Sequence, residues 1–170
     1  SSMKNVIFLI LFFSMLSEYC FSQIEHLEGP RIGVTILTNG TSSDRLNSNF
    51  ITQLGYQWET KFSSDSLGYA FLGEWVLLVG GLEKGYFIPS LSYLLGFRTI
   101  KGFEFAVGAN LSLTGFGPII AIGKSFKFGS VYVPVNLAFV PSIAKEDPVI
   151  GTEGRTGSRI TFTFGFNSKY

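Results

Sequence analysis

The chain has 170 residues, of which 46% are hydrophobic, 16% aromatic and only 15% charged, well below the roughly 25% charge of a typical soluble domain. Its 18 Phe, 7 Tyr, 2 Trp and 20 Gly exclude a disordered chain, whose signature is low hydrophobicity with high charge. Thirteen basic against twelve acidic residues leave a net charge of +1, which gives no electrostatic case for binding nucleic acid.

Residues 1–22 read as a secretory signal peptide. Lys4 precedes an apolar run from Val6 to Phe13 that continues to Leu16, a length suited to a signal h-region and short for a membrane-spanning helix. Small residues at Cys20 and Ser22 allow cleavage before Gln23, and Ser1-Ser2 look like an upstream scar. Cleavage removes the only Cys, so no disulfide framework is expected. With one His in addition, neither a metal centre nor any cofactor is expected. Residues 23–30 then form a short periplasmic leader, and 31–170 a single domain.

That domain alternates with period two in segment after segment, the signature of half-buried strands. Ile32, Val34 and Ile36 open the series, and Phe50, Leu54, Tyr56, Trp58 and Phe62 form the second row. Tyr69 to Val79, Phe87 to Arg98, Phe103 to Thr114, Phe116 to Phe128 and Val131 to Phe139 follow. The last strand sets Ile160, Phe162, Phe164 and Phe166 against Thr161, Thr163, Gly165 and Asn167, and its count reaches Tyr170. Gly115-Phe116 and Gly129-Ser130 are the expected two-residue turns, while 38–48 and 142–157 are the long connections.

Eight alternating strands fit either a soluble, lipocalin-like barrel with its apolar rows inside or a membrane barrel with them outside. The apolar rows are almost unbroken Phe, Leu, Val, Tyr and Trp, whereas the opposite rows are mainly Gly, Ser, Thr, Asn and Ala. Rows of that kind suit a narrow packed lumen better than a water-facing surface. The expected fold is therefore all-β, an eight-stranded antiparallel up-and-down transmembrane β-barrel. Both termini then lie in the periplasm and the two long connections lie outside the cell. Eight strands are too few for a conducting pore.

Several segments carry a family likeness. They are Gly29-Pro30-Arg31-Ile32-Gly33-Val34, the stretch from Gly73-Glu74-Trp75-Val76 to Gly80-Gly81-Leu82-Glu83, the stretch from Pro89-Ser90-Leu91 to Lys101-Gly102-Phe103-Glu104-Phe105, and Val133-Pro134-Val135-Asn136-Leu137. In these the chain resembles the small outer-membrane β-barrel proteins of Gram-negative bacteria, most closely a Bacteroidota-type group. The terminal pattern Phe162, Phe164, Phe166, Tyr170 is similar to the signal read by the barrel-insertion machinery. The resemblance implies an outer-membrane location, with membrane lipids and that machinery as partners, but transfers no activity.

The inward rows nominate a lumenal polar network of Gln57, Glu74, Arg98, Glu104, Asn110 and Asn136. Pairing Phe97 with Phe103 places Arg98 diagonally across from Glu104, within reach for an ion pair; Glu74 adds a carboxylate, and Lys61 or Lys127 could balance it. Leu72, Val76, Leu78, Ile88, Leu94 and Ile119 make the lumen partly apolar, either packed solid or holding an acyl chain or similar ligand. Lys124 falls on the lipid side unless a bulge near Gly123 turns it or it snorkels to the head groups. Catalysis is not expected. His26 lies in the leader, so no wall Ser has a base within reach, Glu74 and Glu104 are assigned to structure, and 108–117 lacks the context of a phosphate loop. The sequence thus favours a monomeric, non-enzymatic outer-membrane barrel with a structural or surface-interaction role. The alternatives are a barrel binding lipid or a small apolar ligand and, with faces inverted, a soluble exported carrier.

Overall fold

The computed structural model describes residues 24–38, 49–63, 68–113, 115–142, 144–146, 153–155 and 157–169. The expected signal peptide, most of loop 38–48 and Tyr170 lie outside the described residues. Seven long strands follow one another: β1 (Ile24–Leu37), β2 (Phe50–Ser63), β3 (Ala70–Gly80), β4 (Ile88–Arg98), β5 (Phe103–Ser112), β6 (Gly115–Phe128) and β7 (Val131–Val140). A small hairpin, β8 (Ala144–Glu146) with β9 (Glu153–Arg155), interrupts the connection to β10 (Arg159–Gly165) and β11 (Asn167–Lys169). Each long strand pairs antiparallel with the next, and β10 and β11 share one register against both β7 and β1, so together they are the eighth wall strand of a closed barrel. Closure leaves the wall without an open edge.

The register sets the strand tilt. Paired residues traced once round the wall run from His26 through Thr60, Gly73, Leu95, Val107, Ile120, Phe139 and Ile160 to Ile36, ten residues further along β1. A stagger of that size in eight strands goes with a tilt of about 35–45° and a lumen just wide enough for side chains. Ile24, Lys169 and the turns 99–102 and 129–130 lie at one end, called here the terminal end. The strand ends at Leu37, Phe50, Val140 and Arg159 lie at the other.

Neighbouring residues fix the orientation of the faces: Arg31 is 1% exposed and Ile32 is 49% exposed. Among the described residues, 34 large apolar side chains are exposed and only eleven hydrophobic ones are buried, while Arg, Glu, Gln and Asn fill the inside. This is the inverse of a water-soluble protein, whose largest apolar patch is a few hundred Å². The outer rows carry charge or His only at His26, Glu28 and Lys124 among the described residues. Lys124 does face outward, without a bulge, since β6 keeps one register past Gly123 on both sides. It pairs with Phe103, the first residue of β5, and its ammonium lies over the Phe103 and Phe126 rings at 4.6 and 5.1 Å.

Three local expectations are corrected. The segment read as a leader is strand from Ile24 onward: Leu27 is fully buried between Glu59 and Lys169, and polar groups on the outer face at His26 and Glu28 hide the alternation. Gly115-Phe116 is not the β5–β6 turn, because Gly115 pairs with Ser112 and Phe116 belongs to the wall, opposite Leu111 on the outer face. Finally, Phe97 pairs with Phe105 and Arg98 lies directly opposite Glu104. The 99–102 turn sets that register: Gly102, at φ 80°, accepts a 2.8 Å bond from the Ser125 amide and abuts the Ser125 carbonyl.

The ladder between β1 and the last strand is incomplete at one proline. Pro30 stands opposite Phe166, whose amide reaches the Pro30 carbonyl at 3.4 Å, but proline has no N–H to return the bond. Beside it, Arg31 pairs with Gly55 on one side and Gly165 on the other, with Gly29 and Gly33 two residues away on the same face. Of these, Gly165 clears the space in which its side chain lies. A Cβ on Gly165 would meet the Pro30 carbonyl and come within 2.7 Å of Arg31 Nη1, whereas one on outward-facing Gly73 would meet only Tyr93 Oη at 3.6 Å. Gly165→Val is therefore expected to cost about 1–3 kcal/mol in urea unfolding of the refolded barrel, and Gly73→Ala less than about 0.5 kcal/mol.

Candidate functional site

A belt of hydrogen bonds crosses the lumen near the terminal end. Arg31 Nε donates to Gln57 Oε1 at 2.9 Å, its Nη1 to the Pro30 carbonyl at 2.9 Å and its Nη2 to Asn167 Oδ1 at 2.7 Å. Asn167 Nδ2 passes the chain on to Glu59 Oε2 at 3.3 Å. Arg98 takes it from there: its Nη2 donates to Glu59 Oε2 at 2.9 Å, its Nη1 lies 2.7 Å from Glu59 Oε1, and its Nε donates to Glu104 Oε1 at 2.7 Å. All of these side chains except Glu104 are buried, and the Glu104 side chain is itself only 7% exposed. The planar guanidinium presents its donors in the fork that two carboxylates need. Glu74, directly opposite Glu59 on β3, completes the group, with Oε1 buried and no protein hydrogen-bond partner.

A second polar layer lies nearer the long-loop end. Asn110 Nδ2 donates to Ser90 Oγ at 2.8 Å and Ser92 Oγ at 2.9 Å, while Arg159 Nη2 donates to Asn110 Oδ1 at 2.7 Å. Across the lumen, Gln53 Nε2 bonds Thr35 Oγ1 at 2.5 Å, and Thr35 and Thr161 share a 2.7 Å bond. Between the layers is a cavity of about 70 Å³, room for several waters at roughly 10–15 Å³ each. Glu74 and Gln53 line it from the polar side, and Leu94, Ala106, Ile119 and Val140 form the apolar cluster opposite.

The structure therefore divides the expected network. Gln57, Glu74, Arg98 and Glu104 gather in or beside the belt; Asn110 belongs to the second layer, and Asn136 lines the cavity. Of the expected apolar group, Val76, Leu78, Leu94 and Ile119 line the cavity. Leu72 is instead buried on the terminal side, against Gly96, and Ile88 is half-buried at the opposite rim beside Gly81. Lys61 does not balance Glu74 but pairs with Glu25 at 3.1 Å, and Lys127 lies over the Tyr132 ring. Sequence reasoning missed Arg31, Glu59 and Asn167. The signals were present: Glu59 shares the inward row of Gln57, Asn167 shares that of Thr163, and Arg31 is flanked by two glycines.

The outer face carries its own arrangement. Trp58, Trp75 and Tyr93 stand in one ladder line across β2, β3 and β4, with Tyr56 against Trp58 at 4.9 Å and Trp75 against Tyr93 at 4.6 Å between ring centroids. They form a one-sided patch. Tyr69 stacks on Phe97 near the terminal end. Phe162, Phe164 and Phe166 are exposed on the outside of the last strand. Among the described residues no group of three His, Cys, Asp or Glu side chains could hold a metal ion, and His26 lies on the outer face near Thr60.

At the terminal rim Glu25 bonds both Lys61 and Lys169. The Lys169 bond, opposed by partial burial and reinforced by Lys61, holds the Glu25 carboxyl below its ordinary range.

No protein-family model matches the chain, and no curated protein does. Solved structures similar to it include the crystal structure of Neisserial surface protein A (NspA), with a TM-score of 0.48 and 12% identity over 88% of this chain and 100% of that one. Another is OmpT, an outer-membrane protein of Vibrio cholerae in its in-vitro folded trimer form, with a TM-score of 0.31 and 10% identity over 88% of this chain and 53% of that one.

Two outcomes are expected. Arg98→Met strands Glu59 and Glu104 in the lumen and should cost about 3–5 kcal/mol, more than Glu104→Gln; adding Glu59→Gln and Glu104→Gln to it should recover part of the loss. Urea unfolding of the refolded barrels in detergent measures all of these, and strict additivity would contradict the shared belt. Because its pKa is depressed by folding, Glu25 contributes stability above the ordinary carboxylate range and loses it as pH falls through the lowered value. Glu25→Gln should therefore lower the urea midpoint at about pH 7, and the difference from the wild type should shrink as pH falls through the lowered value.

Proposed function

We propose that the chain is a bacterial outer-membrane barrel, monomeric and without catalytic activity, whose role is structural or lies in contacts made by its longer connections. One observation supports this most: a closed wall whose outer face is almost wholly apolar surrounds a lumen of paired charges. In hydrocarbon every backbone polar group needs a partner within the protein, and a closed barrel is one of the two structures that provide this. No helix among the described residues is long and apolar enough to cross a membrane; in this reading the strands are the crossing elements. The reading places the terminal end in the periplasm and the connections 38–49, 81–87 and 141–158 outside, matching the habit of membrane barrels to keep short turns on the periplasmic side.

The soluble-carrier alternative requires apolar rows inside, and here they face out. A lumenal lipid ligand would have to share a space of about 70 Å³ with the polar groups of both layers, and packing accounts for the apolar lining.

The reading is tested by solubility and topology together. The protein should stay folded only with detergent or lipid and migrate as a heat-modifiable band, and protease added to intact cells should cut within 142–157. A folded, monodisperse protein in plain buffer would overturn the membrane assignment; cleavage only after rupture of the outer membrane would overturn the orientation.

A further inference from the structure

At the terminal end a cleft of about 490 Å³ opens between the 99–102 turn, the end of β6 and the segment leading into β3. Five cations line it, Lys61, Arg98, Lys101, Lys124 and Lys127, and no carboxylate does. Arg98 is committed to Glu59 and Glu104, and Lys61 to Glu25. Among the described residues no carboxylate pairs with the remaining three. Lys127 and Lys61 both approach the ring of Tyr132, at 5.6 and 5.9 Å, from the lumenal side, while Lys124 lies over Phe103 and Phe126 outside. Ring contacts at exposed sites stabilise a cation only weakly, and like charges brought together repel. This concentration of charge is complementary to an anion.

The remaining walls narrow the choice of anion. Ile100, Phe126 and Phe128 are 69%, 42% and 66% exposed and continue the apolar outer belt into the cleft. The cleft thus runs over the rim, basic towards the lumen and apolar towards the outside. A free inorganic anion would use only the first of these surfaces. A molecule with a phosphate head and hydrocarbon chains would use both, and the end of the apolar belt is the level at which the head groups of one leaflet lie.

We infer that this cleft binds the phosphodiester head group of a membrane phospholipid from the leaflet on the terminal side, with Lys101 and Lys127 meeting the phosphate and the acyl chains running along Phe126 and Phe128. The inference rests on the membrane reading above.

Native mass spectrometry of the barrel refolded in a non-ionic maltoside detergent tests it, with dioleoyl phosphatidylglycerol as the probe. One lipid should be retained per barrel. Retention should fall about tenfold or more when Lys101→Gln and Lys127→Gln are combined, given the attraction each basic side chain exerts on an anionic lipid surface. Diacylglycerol of the same chains should be retained as poorly as the phospholipid is by the variant. Heat-modifiable migration verifies that the variant is folded, and Lys101→Gln alone, in an exposed turn, serves if it is not. Equal retention by wild type and a folded variant, or equal retention of diacylglycerol, would overturn the site. Displacement of the lipid by millimolar inorganic phosphate would mark a site for the free anion and overturn the assignment to a lipid. The two failures are distinguishable: a barrel stable without amphiphile sinks the membrane reading, whereas variant-independent retention in a detergent-dependent barrel sinks only the head-group site.

Discussion

Arg31 and Arg98 are buried inside the barrel, 1% and 6% exposed, so most of their charge has to be met by the wall itself. Removing a charge from water costs several kcal/mol even after relaxation, and the structure offsets that cost with partners from several strands. Gln57 and Glu59 come from β2, Asn167 from β11 and Glu104 from β5. The requirement reaches into the backbone. Arg31 needs glycine at 165 on the last strand, and Arg98 needs the β4–β5 register that sets it opposite Glu104. A slip of two residues would keep every apolar side chain facing outward yet move the carboxylate away. The hydrophobic pattern alone therefore underdetermines this barrel, and the buried ions select among registers it would tolerate.

The same division of labour explains the composition. The outer rows need only be apolar and large, so Phe, Leu, Ile and Val interchange freely along them. The inner rows must fill a space just wide enough for side chains, and small residues beside long polar ones do so: Gly123 lies so close to Asn136 that a Cβ there would strike its Oδ1. Glycine, usually a liability in strands, is here the counterpart of Arg31 and Asn136.

Period-two alternation revealed the strand number, the faces and the two-residue turn at Gly129-Ser130, because one row of each strand is almost uniformly apolar. It failed where that uniformity ends. His26 and Glu28 broke the pattern of β1 near the rim, and a strand beginning at Ile24 read as a leader. The ion pair of Arg98 and Glu104 was legible from parity, but its register depended on the 99–102 turn, where the backbone contact of Gly102 with Ser125 comes from a strand over twenty residues away. Arg31 and Asn167 were illegible as partners for a related reason. They are 136 residues apart, and only barrel closure makes them neighbours.

That closure has a weak point of its own at Pro30. The seam between β1 and the last strand joins segments nearly a whole domain apart in sequence, where loop-closure entropy is largest, and the seam is also short of one backbone donor. Among the described residues three bridges between side chains span it: Arg31 to Asn167, Thr35 to Thr161, and Glu25 to Lys169. Two of them belong to lumenal networks that include residues of other strands. The barrel is thus fastened along its one non-consecutive joint from the inside, like a zip whose teeth engage only once the lining is in place, and joining the first strand to the last becomes cooperative with packing the lumen.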